Sequence, residues 1–164
     1  MSLAKFLLLA MLSWVPAKLQ PEGAAAATAR YESIAADVAE VVERDDEPAI
    51  YGGSKTLTAL VVLSIAKSES AYWQRVDEGR CHSEECDRGL AVGMWQFHPG
   101  MGLAFDGLGW KYDANGYRAK DFIADRKMTI RMVLHLLRGP HGAGWDGTSR
   151  MQRATDFLAS HPRE

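Results

Sequence analysis

One stretch of the chain, residues 55–70, has the period of a helix and is apolar almost all the way round. Leu57, Leu60, Val61, Ser64, Ile65 and Ser68 share one face, and further apolar side chains occupy most of the rest. A helix without a broad polar face cannot rest on a surface and has to be surrounded by other elements. In a chain of 164 residues, long enough for one domain, it belongs at the centre. Ser54 stands where an N-cap is needed.

The remaining elements read as its surroundings. Residues 24–43 are Ala-rich, with Tyr31, Ile34, Val38 and Val41 at helical spacing, which predicts a core-packing helix. Residues 121–138 carry Phe122, Ile123, Ile130, Val133, Leu134 and Leu137, and Gly139 and Pro140 end that helix. A last helix is expected over about residues 149–160. Loops fall at 44–53 and 142–147, and a long irregular stretch over 71–109 has the character of a loop that carries a site. No strand pattern is persuasive, though a small hairpin has room between Asp77 and His98. The expected architecture is mainly α-helical, one domain with a small hairpin or irregular loop lobe.

The first segment has three readings. Lys5 is the only charge before an apolar run of ten residues, 6–15. A spanning helix needs about 20 apolar residues, so this run is too short for an ordinary one. It suits a secretory signal, with the small residues 24–27 as a cleavage region, or a membrane tether. It suits equally a first packing helix ended by Pro16. The expected division is an N-terminal hydrophobic segment over 1–27 and a main domain over 28–164.

The net charge of −2 and pI near 6.2 demand no basic face, so nucleic acid is not an expected partner. Cys81 and Cys86 are the two cysteines. They suit either a disulfide closing a small loop in an oxidising compartment or two inert thiols. Their spacing, even with His82 and His98, matches no common zinc pattern, and no metal or other cofactor is expected.

Glu69 lies at the end of the apolar helix, before Ser70, Tyr72 and Trp73. The negative end of the helix dipole and aromatic neighbours, Trp95 among them, favour a protonated carboxyl there, which is what a general acid needs. About twenty residues on, Gly89-Leu90-Ala91-Val92-Gly93-Met94-Trp95-Gln96 combines glycines, which permit tight turns, with a glutamine that both donates to and accepts from sugar hydroxyl and amide groups. Trp73 and Trp95 are candidate platforms for a sugar ring.

A helix ending in Glu-Ser, followed at this distance by a glycine-rich run ending in Met-x-Gln, resembles the soluble-type lytic transglycosylases and the goose-type lysozymes, over about residues 57–99. The resemblance implies a lysozyme-like fold, Glu69 as the catalytic acid/base beside Ser70, and Gly93, Met94, Trp95 and Gln96, with Trp73, as substrate-binding residues. It implies cleavage of the β-1,4 bond between N-acetylmuramic acid and N-acetylglucosamine with a 1,6-anhydro product, the peptidoglycan glycan strand being the partner. Two positions depart from the family's pattern. Its usual serine before the glycine run is replaced by Cys86-Asp87-Arg88, and its Tyr-Asn pair near the C-terminus by a loop holding Trp145. Asp87 and Trp145 are therefore secondary candidates. The alternatives are a hydrolytic lysozyme of the same fold, or a non-catalytic peptidoglycan-binding or virion structural protein. The expected location is extracytoplasmic, whether periplasmic, secreted or membrane-tethered, or in a virion if phage-encoded, with envelope or virion proteins as partners.

Overall fold

A computed structural model of the chain describes residues 1–89, 91–97, 119–139 and 147–163. The described residues form seven α-helices: α1 (Leu3–Trp14), α2 (Ala24–Glu43), α3 (Lys55–Ser70), α4 (Gln74–Asp77), α5 (Ala119–Ala124), α6 (Arg126–Arg138) and α7 (Thr148–Ser160). Short 3-10 turns lie at Ala17–Leu19 and Glu84–Gly89. The protein is mainly α-helical, as its periodicity predicts.

α3 is the axis of the fold. Every residue from Thr58 to Ala66 is buried, and α1, α2, α6 and α7 pack around the helix. Ser54 caps its start, the hydroxyl accepting from the Leu57 amide at 3.1 Å. The bounds of α2 and α3 are those the sequence predicts.

α1 is a packing helix. Leu3, Phe6, Leu7, Ala10 and Met11 are buried in the main core, and Phe6 meets Phe157 of α7 edge-on at 5.4 Å between ring centroids. Trp14 meets the same Phe157 at 5.7 Å. The chain then turns at Pro16 and enters α2 at Ala24, so the expected division after residue 27 falls inside a continuous helix. Among the described residues no helix is long and apolar enough to cross a membrane.

The predicted helix over residues 121–138 is two helices. Asp125 leaves helical geometry at φ −128°, and its carboxylate accepts from the Met128 amide at 2.8 Å, capping α6. An aspartate that can satisfy the exposed amides of a new first turn competes with continuing the old helix. The break also lets Arg126 bridge Asp37 of α2 at 2.6 Å and Asp77 of α4 at 2.9 Å, tying three elements together.

The expected hairpin is present as a single antiparallel bridge. Val92 and Phe97 exchange both main-chain hydrogen bonds, at 2.7 and 3.0 Å. The connecting turn needs left-handed backbone at Gly93 (φ 68°), which glycine adopts freely, and at Gln96 (φ 51°).

Candidate functional site

The end of α3 is shaped by a sharp reversal. Ala71 and Tyr72 both adopt left-handed backbone, at φ 47° and 56°. Neither is glycine, so the turn has to be held by its surroundings. Tyr72 is fully buried, with its hydroxyl donating to the Leu63 carbonyl at 2.9 Å. The Gln20 amide donates to the Ala71 carbonyl at 3.0 Å and to the Tyr31 hydroxyl at 2.8 Å. Ser70 is spent on the same turn: its hydroxyl donates to the Ala66 carbonyl at 2.8 Å and accepts from the Tyr72 amide at 3.3 Å.

This reversal brings Trp73 back beside Glu69. Both line a cavity of about 220 Å3 whose other walls are residues 67, 68, 70 and 71, Val76 and Cys86. Trp73 packs on a small apolar cluster of Val76, Cys81 and Cys86, and the Arg75 guanidinium sits 4.4 Å from its ring centroid. Cys81 and Cys86 form a disulfide, which settles the open choice between a bond and free thiols. Gly79 in the same lobe adopts left-handed backbone (φ 68°), which favours glycine, and a Cβ there would push the end of the Ile123 side chain of α5 aside.

The Glu69 side chain is 24% exposed and is engaged from α7, where Arg150 Nη2 donates to Glu69 Oε1. Three residues on, Arg153 Nη1 donates to Ser64 O (3.0 Å), Ser64 Oγ (2.7 Å) and Ser68 Oγ (3.1 Å). Ser64 Oγ in turn donates to the Arg150 carbonyl at 2.9 Å. Burial, followed by the charge of Arg153, pushes the Lys67 ammonium below the ordinary lysine range, and burial lowers Arg153 likewise. Of these cations Arg150 is the one that contacts the Glu69 carboxylate, Lys67 lines the same cavity, and Arg153 is bonded to the serines of α3.

The sequence-selected residues divide between this cavity and the core. Glu69, Ser70, Trp73 and Cys86 come together. Met94 and Trp95 do not: they are 1% and 2% exposed and belong to the main core. The Trp95 indole N–H donates to the Val62 carbonyl at 3.0 Å, seven residues before Glu69 and roughly 10 Å along the helix. Trp95 is therefore a core residue, and the sugar platform expected of it is covered. Tyr72 is likewise core, so of the three aromatic neighbours expected around Glu69 only Trp73 lines the cavity. Gly93 is the turn of the hairpin. Gln96 is partly exposed, with its amide donating to the Gly93 carbonyl at 3.0 Å, and it is not among the residues lining the Glu69 cavity.

The side chain of Asp87 and all of Trp145 lie outside the described residues. Of the other acids between Glu69 and the hairpin, Asp77 pairs with Arg126, Glu78 with Arg80 and Glu84 with Arg88. Sequence reasoning missed Arg150 and Arg153. The signal available was their spacing, which puts two cations on one face of the last helix, one turn apart.

Compared with family models, with curated proteins and with solved structures, the chain matches none.

Proposed function

We propose that the protein cleaves peptidoglycan glycan strands as a lysozyme-like lytic transglycosylase with Glu69 as its acid/base. The observation that carries this reading is the place of Glu69: a part-exposed carboxyl at the end of a helix whose middle, residues 58–66, is buried, on a cavity it shares with an aromatic side chain. From the sequence, the spacing of Glu69 and Ser70 from the glycine-rich run supports it, while residues 93–96 of that run do not line the cavity. A disulfide beside the cavity supports an extracytoplasmic setting, in an envelope or carried by a virion.

One carboxyl suffices for the reaction. Glu69 gives its proton to the oxygen linking N-acetylmuramic acid to N-acetylglucosamine, and the C1–O bond breaks as positive charge develops at C1. The 2-acetamido carbonyl of the substrate shares that charge. The Glu69 carboxylate then takes the proton from the C6 hydroxyl of the muramyl residue, whose oxygen closes on C1. The product is a 1,6-anhydro ring, Glu69 ends protonated as it began, and no water is consumed.

The test is digestion of purified peptidoglycan by the wild type and Glu69→Gln, read by mass spectrometry of the released muropeptides. Anhydro ends from the wild type and a loss of at least about 100-fold in the variant are expected. Reducing muramic ends would make the enzyme a hydrolase instead. An inactive wild type that binds the polymer would make it a binding module.

A further inference from the structure

We infer that Arg150 is a positioning residue for Glu69, holding Oε1 of the carboxyl so that Oε2 is the oxygen through which the proton moves. The inference rests on Glu69 being the acid/base of the proposed reaction.

Three observations carry it. First, the guanidinium contacts the carboxyl itself, by a charge-assisted hydrogen bond from Nη2 to Oε1. Such a bond removes the free rotation that a glutamate at a helix end otherwise has. Second, Arg150 is itself fixed. Its carbonyl accepts from Ser64 Oγ, and Arg153 grips Ser64 and Ser68 on the same side of α3. The register of α7 against α3 therefore sets where the Arg150 side chain begins. Third, docking of α7 does not need this pair. The Ser64 and Ser68 contacts and Phe157, buried against Phe6 and Trp14, already anchor that helix. The Arg150–Glu69 pair lies at the rim, 21% and 24% exposed, where an ion pair adds little to packing.

The consequence differs between the two halves of the reaction. When Glu69 gives up its proton, a negative charge appears on its carboxyl. A cation already in contact meets that charge with no reorganisation, which is the economical form of electrostatic assistance. When the carboxylate then takes the C6 proton, fixed geometry keeps Oε2 within reach of the hydroxyl. The contribution is to the rate of the chemical steps and not to holding the strand.

The experiment compares Arg150→Gln, Arg150→Lys and Arg150→Ala on soluble glycan strands, with kcat and KM separated and the melting midpoint recorded. Arg150→Gln is expected to lower kcat at least about tenfold with KM within about twofold. Arg150→Lys restores most of the rate, and guanidinium ion at millimolar concentration partly restores Arg150→Ala. Unchanged kcat in Arg150→Gln overturns the inference. So does a fall in rate that tracks a fall in melting midpoint and that neither lysine nor guanidinium recovers, since that is the behaviour of a docking contact. Glu69→Gln run alongside separates the two levels: if it stays active, the reaction reading itself fails, whereas an inactive Glu69→Gln beside a fully active Arg150→Gln removes only Arg150.

Discussion

The indole N–H of Trp95 donates to the carbonyl of Val62, in the middle of the central helix, at 3.0 Å. That bond turns the tryptophan inward and makes the hairpin of residues 92–97 a lid on α3. Trp73, which lines the Glu69 cavity, is instead half-buried on the disulfide lobe.

The two tryptophans are expected to separate stability from activity. Trp95→Ala leaves a large core cavity and should cost about 3–5 kcal/mol. Trp73→Ala removes a half-buried ring and should cost about 1–2 kcal/mol. On peptidoglycan the order reverses: at conditions where both variants are folded, Trp73→Ala is the one that loses turnover. Urea denaturation and a wall-digestion assay on the same preparations check both halves. A Trp73→Ala protein with wild-type turnover removes that side chain from the site.

How legible this arrangement was depended on how local each signal is. α2 and α3 could be read to the residue because periodicity and the Ser54 cap lie within the elements themselves. The break at Asp125 was missed because an aspartate inside an apolar periodic stretch is compatible with either a solvated helix position or a new cap. The apolar run of α1 reads alike as a signal or a core helix, since its partner Phe157 comes from the far end of the chain. The same distance hid Arg150, which meets Glu69 across 81 residues of sequence. Trp95 was misread for a different reason. Its glycine-rich context permits a tight turn, but which side of a turn a tryptophan faces is decided by what the turn packs on.

The disulfide between Cys81 and Cys86 closes a very short loop, so its effect on the unfolded chain is small, about 2 kcal/mol by loop entropy. Its local effect should be larger, because Cys86 walls the Glu69 cavity and both sulfurs sit under Trp73. The double variant Cys81→Ser/Cys86→Ser is expected to lose about that much stability and to turn over peptidoglycan more slowly than the stability loss explains. Thiol reduction of the wild type should reproduce both changes. Full activity in the reduced protein would show that the lobe does not shape the site.

The buried tyrosine pair behind the reversal makes stability fall in alkali. Burial raises the Tyr31 phenol to about 12, with Glu22 acting in the same direction and the Gln20 hydrogen bond and Arg30 charge opposing. Tyr72, at 5.4 Å between ring centroids, is raised well above its ordinary range, chiefly by burial and then by Tyr31. The unfolded chain releases these protons near pH 10, while the folded chain keeps them. Between about pH 10 and 12 the unfolded state therefore binds fewer protons, and the unfolding free energy declines as pH rises. The contribution is intact below about pH 10 and is lost as pH passes through the folded values, at up to roughly 1.4 kcal/mol per pH unit for each tyrosine. Tyr31→Phe keeps the ring and removes the titrating group, so its stability should decline less steeply than the wild type over that window, by up to about one proton per molecule. Urea midpoints measured across the window for the two proteins give the difference, in which the other titrating groups largely cancel. Parallel curves would mean that Tyr31 ionises as readily in the folded protein as in the unfolded chain.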